Sequence, residues 1–566
     1  MVRKCGGLPL AICALGGILA TKRADIKEWK YIHRDVASNI NRGKDGGVMG
    51  ILALSYNDLP VHLKPCFLYL GLFPEDYAIP RRKLIQLWIA KGFIPHTKED
   101  AQGTLGKHEY YAELIQRCMI QPDKYATSLS VKRTWRDKTC RMHDLMRDLC
   151  LSKGKELNFL DIYNHGIDGT TSSNDTSRRL RRYAINLTDE PRFGLDFHFN
   201  NSASALRTLR GPSFRRAAEP LMKYQHMKLL RVLDLGDLYL QKNELKMVFE
   251  LIHLRYLGIG GLLRQDKIPS SIGNLRNLET LKLEGDTFLP ETITKLVQLR
   301  HLEMKVLEGK ISHNFRIENL MNLQTLSDIR AGKWIRKGCF GKLSKLQNLS
   351  VYHTSRSQAD VLIHEITNKK SSSSSSFDDQ HQNPIRVLEL RLTGYFDNKI
   401  FDLLSCCNNL HRIRLDGRLD GGLNLQKYPP NLSKLILKNS SLEKDPMETL
   451  QYLPNLNFLQ LAWAFQREEM VCSTKGFPQL QILNIEWMRQ LKKWTIDQGG
   501  MPCLKELNLE GLEKLSMLPE GLRFITTLKK LTIYGMPTIR KRIVREVGED
   551  WYKVQHIPSL IVREYD

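Results

Sequence analysis

LETLKLE, residues 278–284, decides the fold. Leu278, Leu281 and Leu283 stand two and one residues apart, and the arrangement L-x-x-L-x-L, with Ile, Val or Met allowed, returns again and again. It reads LRTLRG at Leu206, LRVLDL at Leu230, LRYLGI at Leu254, LRHLEM at Leu299, LQTLSD at Leu323 and LQNLSV at Leu346. It continues as IRVLEL at Ile385, LHRIRL at Leu410, LSKLIL at Leu432, LNFLQL at Leu456, LQILNI at Leu480, LKELNL at Leu504 and LKKLTI at Leu528. Most steps are 24 residues, and nearly all others 21 to 25. The one long step, Leu346 to Ile385, contains KKSSSSSSFDD; a serine tract has nothing to bury, so a disordered insertion is expected near 368–383.

A period of this length marks a stacked array, in which each coil buries what it cannot bury alone. Each buried Leu contributes roughly 1.5–3 kcal/mol, so three per coil can hold together an array that no isolated coil could. The expected fold is a leucine-rich-repeat solenoid. Strand alternation then sets which side chains leave the inner face. In LETLKLE these are Thr280, Lys282 and Glu284. In the middle repeats the same offset gives Arg391, Arg412, Arg414, Lys434 and Lys438, a basic patch, followed by Phe458 and then Glu486, Glu506 and Glu510. Such a basic–aromatic–acidic series suits protein recognition, with the first five and Phe458 as partner-binding candidates. Ordinary solvated charge variation would give the same letters.

The whole chain has 566 residues, 42% hydrophobic and 26% charged, with a formal net charge of +24. That describes a globular protein of more than one domain or a repeat array. The positive field could attract nucleic acid, anionic lipid or acidic protein surfaces, or be a basic, well-solvated surface and nothing more. Eleven scattered cysteines with no C-x-x-C pair and no zinc spacing fit reduced, buried thiols. The longest apolar run, Leu8 to Ala20, is too short for a bilayer, which needs roughly 20 residues. Behind Arg3 and Lys4 it has the look of a secretory signal.

Residues 1–155 read differently. Helical periodicity marks LPLAICALGGILA, LPVHLKPCFLYLGLFPEDYAIP with a stop at Phe73-Pro74, RKLIQLWIAKGFI (82–94), a stretch near Tyr110 to Cys118, and HDLMRDLCLSKG. Two short β-like runs, Ser128 to Lys132 and Lys138 to Met142, complete what reads as a winged helix. GGLPLA (6–11), LSYNDLPVHLKPCFLYLGLFPEDYAIPRRKLIQLWIAKGFI (54–94), MHDLMRDL (142–149) and the ending EDWYKVQHIPSL then appear in order. With those residues the chain resembles the plant intracellular nucleotide-binding leucine-rich-repeat disease resistance proteins of the coiled-coil class, over nearly its whole length.

The resemblance implies a layout: 1–45, the end of the nucleotide-binding helical subdomain with its GLPL motif; 46–155, the winged-helix subdomain with its MHD motif; 156–180, a linker; 181–566, the repeats. It implies that Gly7, Leu8, Pro9 and Leu10 border the nucleotide, with Pro9 against the adenine. His143 of the switch motif Met142–His143–Asp144 would reach the ADP β-phosphate, and Asp144 would orient the neighbouring helix. The bland alternatives are that Pro9 merely shapes a helix start and that His143 is a satisfied core residue. The opening run is then a buried helix rather than a cleaved signal, in a chain starting at an internal methionine, with a cytoplasmic, nucleo-cytoplasmic or membrane-peripheral location. ADP and ATP would be the cofactors of the complete family architecture. Because no G-x-x-x-x-G-K-[ST] occurs, tight nucleotide binding by this chain is not expected.

The implied function is innate immune sensing. The repeats would bind a pathogen effector or a guarded host protein, or the signalling or nucleotide-binding part of another receptor. A standalone interaction module, a decoy or regulator of a full receptor, is the alternative. DNA binding through the winged helix is disfavoured because the basic residues are spread along the repeats. No nucleophile, base and orienting group share a catalytic spacing, so an enzyme is not expected.

Overall fold

A computed structural model of the chain describes residues 5, 7–22, 27–34, 48–95, 105–122, 139–165, 181–187, 205–211, 227–236, 240–305, 310–367, 384–397, 400–420, 423 and 427–564. It divides into two compact units, Met1–Gly285 and Asp286–Asp566. The Ser-rich tract and the run Ser128 to Lys132 lie outside the described residues.

The first unit begins with helix α1 (Pro9–Ala20), whose Pro sits in the first turn, where its missing N–H costs nothing. Leu10, Ala14, Leu15 and Ile18 are buried, and α1 packs on α2 (Val48–Asn57). Gly17 is needed there: a Cβ would lie 2.7 Å from the Arg117 backbone. Next come α3 (Lys64–Tyr69), continued by a 3-10 turn until Phe73 turns extended, and α4 (Arg81–Lys91). Gly92 ends α4 in the left-handed region at φ 78°. Helices α5 (Leu105–Gln116) and α6 (Asp144–Glu156) follow. The strands β1 (Ile79–Pro80), β2 (Gln121–Pro122) and β3 (Thr139–Arg141) form a small antiparallel sheet in the order β1-β3-β2. Helices closing on this sheet around Phe67, Phe73, Leu84, Trp88 and Cys150 make the expected winged helix.

A parallel ladder follows in the same unit: β4 (Asp161–His165), β5 (Arg182–Leu187), β6 (Thr208–Arg210), β7 (Val232–Asp234) and β8 (Tyr256–Lys267), each paired with the next. The ladder thus starts inside the stretch expected to be linker. LNFLDI at Leu157 carries the repeat pattern with Ile in its last place, and its Leu160 is buried. Leu281 and Leu283 are buried as the register requires.

In the second unit the parallel strands run without slippage from Arg412–Leu419 through Lys434–Lys438, Phe458–Ala462, Ile482–Glu486, Glu506–Glu510 and Lys530–Tyr534 to Ser559–Arg563. One inner column reads Leu435, Leu459, Leu483, Leu507, Leu531, Leu560. The last strand belongs to IPSLIV at Ile557, another degenerate copy of the pattern. The turns are tied by side chains placed just before the first Leu of a repeat. Asn431 donates to the Asn408 carbonyl at 2.8 Å, and Asn455 to that of Pro430 at 2.9 Å, which satisfies acceptors the ladder leaves over. All eleven cysteines are free thiols. No described helix is long and apolar enough to cross a membrane, and no metal-ligating cluster occurs among the described residues.

Candidate functional site

FPEDY, residues 73–77, forms a corner where the winged helix meets the first repeats. The Phe73 and Tyr77 rings stack 5.7 Å apart. Arg210 of β6 lies over both, 4.9 and 5.3 Å from their centroids, and donates to the Leu72 carbonyl at 3.3 Å. Asp234 of β7 accepts from Lys83 of α4 at 2.7 Å and faces Arg210 Nε at 3.8 Å. Burial acts to raise the Asp234 carboxyl, but Lys83 and Arg210 overcome it and hold it below its ordinary range. From the other side Arg147 of α6 donates to the Phe73 carbonyl at 3.4 Å. One corner therefore receives donors from the helix after the MHD motif and from a repeat strand.

The motif residues lie at helix starts. Gly7 is exposed at φ 77°, Leu8 is half-buried before α1, Pro9 is exposed at its first position and Leu10 is buried. Pro9 does shape a helix start. His143 is not a core residue: it is exposed and caps α6, its Nδ1 accepting from the Leu145 N–H at 3.4 Å. That bond makes Nδ1 the acceptor and leaves Nε2 to carry any hydrogen of a neutral ring. Asp144 is exposed in the first helical turn, where its charge complements the helix dipole, and Met142 is half-buried before it. Helices α1 and α6 both pack on α2.

A feature missed in the sequence is a cationic column beside α4. Arg181, Arg207, Arg231 and Arg255 hold equivalent places in consecutive coils, linked by backbone bonds from each N–H to the preceding carbonyl at 2.8, 3.0 and 2.8 Å. Lys91, 7% exposed, is pushed down to about 6 by burial, then by Arg182, Arg231, Arg207 and Arg181. Arg231 is lowered by burial and by Arg255 and Arg207, charges of its own sign. The signal was the repeated Leu-Arg at 206–207, 230–231 and 254–255, which looks like scattered single charges unless read at the period.

On the strand face of the second unit, register brings Arg412, Lys434 and Phe458 side by side as expected. They do not form an exposed basic patch. Arg412 is 7% exposed and Phe458 4%, because strands about 4.8 Å apart crowd large side chains of equal offset. The positive charges are also answered. Arg412 pairs with Glu389 at 3.1 Å, Arg391 with Asp416 at 3.0 Å, and Arg414 approaches Asp416 at 3.8 Å. Lys438 stands 4.0 Å from Glu486, and burial lowers its ammonium despite that carboxylate. Lys434 is half-buried and Arg391 alone of the six candidates is exposed.

Comparison with known proteins finds both folds. Residues 206–548 match the family described as leucine-rich repeat region, and residues 72–150 the disease resistance protein winged helix domain. Disease resistance protein RPP8 of Arabidopsis thaliana is 34% identical over 99% of this chain and 60% of its own length. Disease resistance protein RPH8A of the same plant is likewise 34% identical over 99% and 60%. The chain thus spans about three-fifths of the length of the curated relatives it matches. A solved leucine-rich-repeat protein of Leptospira interrogans is 18% identical, with 71% of this chain and 99% of that one covered, at a TM-score of 0.40.

Proposed function

The chain belongs to the plant disease resistance proteins that join a winged helix to leucine-rich repeats, and we propose that it acts as the sensing part of an immune receptor. The observation that carries this reading is the corner at Phe73. Repeats that bind a pathogen effector or a guarded host protein need a route from the ligand to the switch motif. Arg210 and the Lys83–Asp234 pair tie the first coils to the corner, and Arg147 ties the corner to the helix capped by His143. A ligand that distinguishes two positions of the first coils can then bias the switch helix by at most its difference in affinity for the two.

In the complete receptor the nucleotide would be ADP or ATP. His143 fits such a group: it is exposed at the positive end of a 13-residue helix, and its Nε2 side can donate to a phosphate oxygen. Pro9, exposed at the start of α1, offers an apolar edge to a base. When bound, the nucleotide supplies a phosphate whose presence or loss the His143 cap can register. The cationic column of Lys91 and the arginines suits an acidic segment of the same receptor or of a signalling partner.

Amide hydrogen exchange tests the route. Arg210→Ala should speed exchange across residues 144–156, whereas Arg391→Ala, a surface control, should not. In leaf tissue Arg210→Ala should also change the strength of the cell-death response. Unaltered exchange in residues 144–156 would remove the route, and plants lacking the gene that resist every pathogen tested as well as the wild type would remove the immune role.

A further inference from the structure

At the end of the strand face stands a pair of tryptophans that the repeat pattern does not call for. Trp463 and Trp487 follow the strands Phe458–Ala462 and Ile482–Glu486, and their rings stack with centroids 5.4 Å apart and planes 3° from parallel. Both adopt positive φ, 48° and 57°. Asn439, Gly511 and Gly535 hold the same slot in neighbouring coils, also at positive φ, and the backbone N–H of each coil donates to the next coil's strand end. That conformation is built for glycine or asparagine, and bulky side chains strain it. Gly511 shows how closely the pair is seated: a Cβ there would lie 2.6 Å from the Trp487 ring. Trp463, the outer member, is 43% exposed. Strain accepted twice in succession to display an aromatic surface points to recognition.

Beside the rings the charge is negative. Glu486 and Glu510 hold paired positions in adjacent strands, and the Trp487 N–H donates to the Glu510 carbonyl at 2.7 Å. Glu486 is buried and partly answered by Gln460 at 2.5 Å and Lys438 at 4.0 Å. Glu510 is half-buried, and among the described residues its side chain has neither an ion pair nor a hydrogen bond. Burial raises its carboxyl and Glu486 raises it further, which outweighs the lowering by Lys438. A half-buried carboxylate against a like charge, with Lys438 near enough to act on it but no ion pair of its own among the described residues, has room for a second cation.

We propose that Trp463, Trp487 and Glu510 form a seat for one arginine side chain presented by an extended segment of a partner protein. The planar guanidinium stacks on an indole face while its N–H fork reaches a carboxylate, and Lys, a compact ammonium, matches this pairing less well. The remaining charge of the chain sets the context: a net charge of +24 repels polybasic segments, so the segment must be otherwise uncharged or acidic. This rests on the reading that the strand face binds a protein.

The test is selection of a random dodecapeptide library displayed on phage against the wild-type chain, Trp463→Gly and Glu510→Gln, with equal melting midpoints confirming the fold. Trp463→Gly suits its positive-φ slot, so it removes the ring without adding strain. Arginine at one fixed position should be enriched at least tenfold on the wild type over both variants, and replacing it by citrulline, an uncharged isostere, should abolish the preference. Peptides that bind all three chains alike would leave strand-face recognition standing and remove the seat. Enrichment of acidic or purely apolar peptides would overturn the proposal as well.

Discussion

The molecule holds two groups of basic residues that look alike as letters and behave as opposites. In the second unit Arg391, Arg412, Arg414 and Lys438 are interleaved with Glu389, Asp416 and Glu486. In the first, Lys91, Arg207 and Arg231 face mainly one another. The first arrangement is a closed network whose charges already have company. The second keeps like charges together: among the described residues a carboxylate meets the column at its end, where Arg255 faces Glu279 at 3.8 Å, and an added anion would relieve the rest. Basicity in a sequence is therefore no guide to an available charge; what matters is whether a neighbouring coil supplies the opposite sign.

The largest expected effect lies in the closed network. Glu389→Ala leaves Arg412 buried without its carboxylate, which should cost about 3 kcal/mol in urea denaturation. A loss under 1 kcal/mol would show that the network is no more neutralised than the column. Lys91 gives the converse result. Its folded ammonium sits at about 6, against about 10.4 unfolded, so between those values the unfolded chain binds the extra proton and stability rises with pH. Lys91→Met should add about 2 kcal/mol at pH 7 and flatten the rise between pH 7 and 9. A variant no more stable than the wild type would mean that the column already has its anion. Smallest is Arg231→Gln, which should change stability by only about 0.5 kcal/mol. It should, however, weaken the rise in melting midpoint that added salt gives the wild type by screening the column. An unchanged salt response would place the repulsion elsewhere.

The register of the fold was open to reading because L-x-x-L-x-L is local: each copy states its own inward face. Its ends were harder: LNFLDI at Leu157 and IPSLIV at Ile557 fit the same pattern but stand 49 and 29 residues from the nearest regular copies, outside the period. Alternation also showed that Arg412, Lys434 and Phe458 share a face. It did not show that the face would be crowded, because crowding depends on the neighbouring coils' side chains. Their pairing was within reach once the period was known: Arg412 and Glu389 are 23 residues apart and Arg391 and Asp416 25, each one coil away. Trp463 and Trp487 escaped because they fall just beyond the repeated six letters, in a slot defined by φ rather than by hydrophobicity. His143 and Pro9 were found through resemblance alone; nothing in periodicity singles out an exposed cap.

The slot shared by Asn439, Trp463, Trp487, Gly511 and Gly535 has a consequence for how such a chain changes over generations. The tryptophan codon is one base away from a glycine codon, and glycine is the residue this backbone accepts most readily. A single mutation can therefore plant a large aromatic ring beside the acidic pair, or erase it, while the coil beneath stays wound. The ladder acts as a fixed rack on which recognition elements are exchanged one at a time, so a lineage can revise what it binds without first having to relearn how to fold.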